Sequence, residues 1–280
     1  MKTTRILTSL VRAALSPSSR SARMIPIFIF PPRRLLSVFL GVTSIAAAWC
    51  PAAQGATISI HPTQDNSIYS SNTGNSNALG FLFAGLAGNG GVQRALVQFD
   101  IASNIPAGAV INSASVDFAL TKTHAGIDDL YELHSLTSAW GEGTSGIQSN
   151  GGGGFTATVG DATWLARIYN TSLWNLPGGD FASLASGTTT FGINIGVYTF
   201  ASQSGLVADV QNWLNAPASN FGWILQTVNE GSGTSGRQLG SRESAGQQPT
   251  LTINYTAAPE PGSLVLLGVG TLVLSSRRRR

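Results

Sequence analysis

The chain has 280 residues, of which 42% are hydrophobic and only 10% charged, with 33 glycines, 12 prolines and one cysteine. That is too apolar for a wholly disordered chain, and the glycines follow no collagen repeat. A single cysteine excludes a disulfide framework and any zinc site built on several thiolates. The formal charge of +3 is unevenly spread: seven of the 16 Lys+Arg fall in the first 34 residues and four are Arg277, Arg278, Arg279 and Arg280. The stretch 56–258 holds five cations against twelve acids. So acidic a body cannot neutralise phosphates, which argues against a nucleic-acid partner and leaves the basic ends to be explained as targeting.

At the N-terminus, Arg33-Arg34 precedes an apolar stretch from Leu35 to Ala48, the length of a signal-peptide core and too short to span a membrane. Ala53-Gln54-Gly55 puts small residues at the −3 and −1 positions of a signal peptidase site, so cleavage is expected between Gly55 and Ala56. Residues 1–55 then read as a signal peptide with a long leader, Met24 being an alternative start. Pro32 and Ser37 fit the twin-arginine pattern badly, which favours general secretion. Trp49 stands where lipidation of Cys50 needs a small residue. After the expected cut no cysteine remains, as suits an exported chain held by its core.

Residues 56–257 read as one all-β domain, long enough to bury about 70% of its unfolded surface. Ala114, Val116, Phe118 and Leu120 alternate with Ser115, Asp117 and Ala119, a half-buried strand. The same period runs through Ala95, Val97 and Phe99, through Phe191, Ile193 and Ile195, and through Leu251, Ile253 and Tyr255. Further strands are expected at Thr57–His61, Leu79–Ala84, Leu130–Leu136 and Phe221–Thr227, separated by glycine- and asparagine-rich turns. Leu206, Val207, Val210, Trp213 and Leu214 break the alternation with helical spacing, so a short helix begins near Ser204 and ends before Pro217. The glycine-rich stretch Gly146–Gly160 reads as a long mobile loop. Together these elements predict a jelly-roll-like two-sheet β-sandwich with one short helix.

Candidate chemistry gathers in three loop-like segments: Trp140-Gly141-Glu142-Gly143-Thr144, Ala162-Thr163-Trp164, and Trp174 through Asp180. Flat indole faces stack on sugar rings while carboxylates and amides take the hydroxyls, so Trp140, Glu142, Trp164, Trp174 and Asp180 form a candidate carbohydrate-binding set. The competing reading is that the tryptophans plug the ends of the sandwich. Asp65-Asn66, Asp128-Asp129 and Asp180 offer hard oxygens, and a structural calcium is possible, but none has the ligand spacing of a calcium loop. Arg94 is expected to pair with Asp100, Asp117 or another acid, and Arg237 and Arg242-Glu243 to be structural ion pairs. His61, His124 and His134 with scattered acids complete no nucleophile, HExxH or P-loop motif, so no catalytic residue is assigned and the protein is expected not to be an enzyme.

Arg94-Ala95-Leu96-Val97-Gln98-Phe99-Asp100 with Ile105-Pro106-Ala107-Gly108, the two tryptophan segments at Trp140–Thr144 and Thr163-Trp164, Asp209-Val210-Gln211-Asn212-Trp213, and Pro249–Tyr255 resemble the DNRLRE-type domain, also classed as carbohydrate-binding module family 96. Such a resemblance implies a non-catalytic jelly roll that binds polysaccharide, in some members acidic polysaccharide. With five cations in the body, a ligand here is expected to be neutral or calcium-bridged.

Residues 258–280 form a second address. Pro259-Glu260-Pro261 is followed by an apolar run through Leu274 and the four arginines. As a helix that run reaches only about 20 Å, short of a ~30 Å hydrocarbon core, and the arginines stop it on the cytoplasmic side. This tail resembles the PEP-CTERM sorting signal of Gram-negative bacteria that secrete exopolysaccharide. The resemblance implies recognition by an exosortase, a transient transmembrane anchor in the inner membrane, and delivery to the cell surface or extracellular matrix. The sequence therefore points to an exported, non-catalytic protein that binds or organises polysaccharide. The alternatives are a structural matrix or adhesin protein with no glycan ligand and, behind it, a polysaccharide-active enzyme.

Overall fold

The computed structural model describes residues 55–258 except 125, 149–151 and 232. Fifteen strands run in chain order: β1 (Gly55–Ile60), β2 (Gln64–Tyr69), β3 (Asn75–Ser76), β4 (Leu82–Leu86), β5 (Val92–Gln98), β6 (Val110–Thr123), β7 (Asp129–Ser135), β8 (Phe155–Thr156), β9 (Ala166–Ile168), β10 (Ser172–Leu173), β11 (Gly187–Phe191), β12 (Gly196–Phe200), β13 (Trp223–Thr227), β14 (Arg237–Leu239) and β15 (Thr250–Thr256). One helix, α1 (Ser204–Asn215), stands between β12 and β13 and is followed by a 3-10 turn at Pro217–Ser219. The expected all-β, jelly-roll-like sandwich with one short helix is what forms.

Eleven strands form a single curled sheet. One wall runs β1-β15-β6, with β14 continuing along the same edge of β6 and β12 on the other edge. The opposite wall runs β5-β13-β7-β11 with β2 beside β5. Strand β4 pairs with β14 on one side and β5 on the other, so it carries the sheet around the corner. Between the walls lies the main core, where Phe118 meets Phe200, Tyr131 meets Phe191, and Phe99 meets Trp223. Ala114, Val116, Phe118 and Leu120 point into it as their alternation requires. Helix α1 buries Leu206, Val210, Trp213 and Leu214, and Trp213 packs 4.5 Å from the Trp223 ring. Among the described residues, both hydrophobic clusters lie within residues 60–253, so the domain has a core of its own.

Four local expectations are corrected. The Phe191 strand ends at that residue; Ile193 and Ile195 sit in a turn between Gly192 and Gly196, 45% and 69% exposed. The strand expected from Leu79 starts at Leu82, because Gly80 N–H donates to Asn77 O and closes a turn first. The stretch 146–160 is no bare loop where it is described: β8 pairs with β3, and the side chains of Gln148 and Ser241 bond at 2.8 Å. Arg237 makes no ion pair among the described residues. It is 1% exposed and its guanidinium donates to the carbonyls of Ser235, Ile127 and Phe191, so backbone dipoles replace the expected carboxylate.

β1 and β15 are antiparallel, with Gly55 opposite Thr256. The strand that begins at the expected cleavage site and the strand that ends before Pro259 thus leave the domain side by side. A cut between Gly55 and Ala56 removes one residue of β1 and leaves the rest of the strand paired. The signal-peptide core, the Pro-Glu-Pro motif, the arginine tail and the transmembrane expectation lie outside the described residues. Among those described, no helix is long and apolar enough to cross a membrane.

Candidate functional site

The structure brings Trp140, Trp164 and Trp174 together, in a second hydrophobic cluster with Ile68, Leu96, Leu136 and Ile224. Two of the three are interior. Trp140 and Trp174 are each 5% exposed, and their indole N–H groups donate to Phe221 O and Thr163 O, both at 2.8 Å. Their ring faces are committed to packing, so neither is the exposed sugar platform that the loop-like sequence suggested. Trp164 is half-buried, and the Arg94 guanidinium lies 5.0 Å from its ring centroid.

Arg94 holds this end of the sandwich. Its Nε and Nη2 donate to the two oxygens of Glu230 at 2.7 and 2.6 Å, its Nη1 donates to Gly178 O, and Phe181 flanks it at 5.3 Å. A bidentate, partly buried pair of this kind is charge-assisted and geometrically fixed. The acid that pairs with Arg94 is thus Glu230, in place of Asp100 or Asp117. A 490 Å³ cleft opens beside it, lined in part by Asp180, Asn175, Thr137 and Phe181. Asp180 is 8% exposed and already full: Asn175 N and Leu176 N donate to Oδ1, Asn175 Nδ2 and Ser138 Oγ to Oδ2. It shapes the loop around itself.

Glu142 belongs elsewhere. Its Oε1 accepts from Asp65 N at 2.9 Å and from Arg242 Nε and Nη2 at 3.1 and 2.9 Å. Arg242 also reaches Glu243 at 2.8 Å, and its backbone N–H donates to Asp65 Oδ2. Two carboxylates therefore pair with the guanidinium, and a third holds the backbone of the same residue. Asp65 is fully buried, and burial, with Glu243 and Glu142 adding to it, pushes its carboxyl well above the usual range. Burial also raises Glu142. Burial by itself would lower Arg242, but Glu142, Glu243 and Asp65 together offset that and raise it. The glycines around Glu142 are there for close approach: at Gly141 a Cβ would meet Gly160 O, and Gly143 adopts φ +71° against Asp161.

The other sequence candidates are also engaged. Asn66 is buried, accepts from Ser67 N, Ser76 Oγ and Asn77 N, and donates to Glu142 O. Asp129 takes hydrogen bonds from Thr227, Asn229 and Leu130 N. His134 bridges Ala182 O and Glu132, and His61 lies against Pro249 O. Among the described residues, no group of three or more His, Cys, Asp or Glu side chains is arranged to hold a metal ion. Of the carboxylates offered for calcium, Asp65, through Oδ2, Asp129 and Asp180 are hydrogen-bonded within the protein, whereas Asp128 is exposed.

A second cleft, of 340 Å³, was not legible as a motif. It lies over the β9–β10 hairpin, where Thr73 and Gly74 from the β2–β3 loop face Leu165, Tyr169, Asn170 and Leu173. The only charged side chains on β9, β10 and their connecting turn come from Arg167, which is not among the residues lining the cleft.

Residues 257–280 match the PEP-CTERM protein-sorting motif. That motif marks an exported protein, processed by exosortase and destined for the cell envelope or surface. No curated protein matches the chain.

Proposed function

We propose that residues 56–257 are the cargo of this sorting signal, a non-catalytic domain that binds or organises polysaccharide at the cell surface or in the extracellular matrix. The observation that carries the reading is positional. The sorting motif starts at residue 257, directly after β15 ends at Thr256, so the whole sandwich is what the signal delivers. The absence of catalysis is supported by the state of the acids in the candidate clusters. Asp65, Glu142, Asp129, Asp161 and Asp180 hold backbone N–H groups or side chains of their own loops, whereas glycoside hydrolysis needs two carboxylates free to face substrate. The resemblance to DNRLRE-type domains, read from short motifs, points the same way and forms part of the proposal.

A specific observation favours a second reading, a structural matrix component. The outer face of β1 and β15, with Asn112 at the start of β6, is a neutral ladder: Ser59 bonds Thr252, Asn254 bonds Thr57, and Asn112 bonds Asn254 and Thr256. Such a flat, self-satisfied sheet face suits packing against other matrix material without a glycan pocket. Binding of residues 56–258 to a panel of neutral and acidic polysaccharides, with and without chelator, separates the two. Saturable binding by the folded domain is expected. A folded domain that binds no glycan leaves the structural reading standing, and loss on chelation alone brings calcium into the mechanism.

A further inference from the structure

We propose that the cleft over the β9–β10 hairpin is a binding site for an uncharged sugar ring, stacked on Tyr169 and hydrogen-bonded by Asn170. This inference rests on the polysaccharide reading above and says where the ligand sits and what charge it carries.

The argument starts from which polar groups are free. Around the tryptophans, the indole N–H groups of Trp140 and Trp174, the Asp180 and Glu230 carboxylates and the Arg94 guanidinium have partners inside the protein. In the hairpin cleft the side chains of Thr73, Tyr169, Asn170, Thr171 and Ser172 make no hydrogen bond to any described residue. Only Thr163 Oγ1 is engaged, accepting from Ala166 N at 3.0 Å. Hydroxyls and an amide offer both donors and acceptors, the pairing that sugar hydroxyls require. The apolar side of the site is equally open: Leu165 is 44% and Leu173 73% exposed, and both line the cleft beside the half-buried Tyr169 ring. An aromatic face between aliphatic flanks with polar groups at the rim matches the alternating apolar faces and hydroxyl edges of a pyranose.

Two further observations sharpen the assignment. No lining residue is charged, so a polyanion gains nothing here and a neutral ring is favoured. Asn170 adopts φ +63°, and no other non-glycine residue among those described has a positive φ. Glycine would hold that turn at lower conformational cost, so an asparagine there brings an amide to the rim at the expense of some backbone strain. The volume of 340 Å³ stands at the small end of ligand sites and fits one or two rings in the groove.

The test is affinity electrophoresis of residues 56–258 in gels containing a neutral β-glucan, a galactomannan or alginate, with thermal unfolding recorded for every variant. The wild-type domain should be retarded by at least one neutral polysaccharide and not by alginate. Asn170→Gly keeps the turn and removes only the amide, and Tyr169→Ala removes the ring; each should weaken retardation at least tenfold with the unfolding midpoint unchanged. Trp174→Phe should leave retardation intact. Neutral-glycan binding that survives both cleft substitutions overturns this site while sparing the polysaccharide reading. Retardation by alginate alone overturns the neutral assignment, and retardation by none of the three overturns site and reading together.

Discussion

The tryptophan cluster and the hairpin cleft meet in three consecutive residues, Thr163 to Leu165, yet they are opposite kinds of surface. Thr163 O receives the Trp174 indole on one side, and Thr163 itself lines the cleft on the other; Trp164 joins the cluster while Leu165 faces the groove. The cluster is rich in residue types associated with sugar recognition, but Trp140 and Trp174 have spent their indole N–H groups on backbone carbonyls and their ring faces on packing. The cleft has ordinary residues whose groups are unspent. What a surface can bind depends on the groups left free after folding, and a list of residue types does not reveal that.

The comparison breaks first at Trp174. If the cluster is interior, Trp174→Ala should cost about 3–5 kcal/mol of stability, the usual penalty for emptying a large aromatic site. It should show as a shifted urea midpoint, and a change below ~1 kcal/mol would mean that the indole is surface. Arg94→Ala comes next. It removes a bidentate pair, a carbonyl bond and the contact with Trp164, for an expected loss of about 2 kcal/mol. Because Glu230 and Gly178 O lose their partner, Arg94→Lys should recover only part of it.

A smaller effect concerns pH. Burial raises the Asp65 carboxyl, so the fold favours its protonated form, and Glu142 is raised in the same direction. Their contribution to stability is complete below the ordinary carboxylate range near ~4 and is lost as pH rises through their folded values. Asp65→Asn keeps an acceptor for Arg242 N–H and removes the titration, so the fall in urea midpoint between acid and neutral pH should flatten. An unchanged slope would mean that other groups set the dependence. The smallest stability effect is expected at the cleft itself, where Tyr169→Ala should stay within about 0.5 kcal/mol of wild type.

Much of the scaffold could be read from sequence. The alternation of Ala114 to Leu120 marks β6, and the spacing of Leu206, Val210, Trp213 and Leu214 marks α1, because each side chain's direction follows from local period alone. β2 escaped this reading. Its Asp65, Asn66 and Ser67 look like a solvated turn, yet they are buried, with Glu142, Asn77 and Arg242 arriving from other segments to bond Asp65 N, Asn66 Oδ1 and Asp65 Oδ2. Arg237 misled for the same reason, its partners being carbonyls, which carry no signature in the side-chain alphabet. Trp140 and Trp174 read equally well as platform or plug, since loop chemistry around them says nothing about what packs on their faces. The hairpin cleft had no motif at all. Its only local sign was an asparagine after Tyr169, and the left-handed turn it makes became visible with the backbone.

The most direct measurement compares Asn170→Gly and Trp174→Phe in one titration series, residues 56–258 against the neutral polysaccharide that retards the wild type, with unfolding midpoints alongside. The account predicts that Asn170→Gly loses binding and keeps its stability, while Trp174→Phe loses stability and keeps its binding. The reverse pattern would put the ligand on the tryptophans and contradict the account.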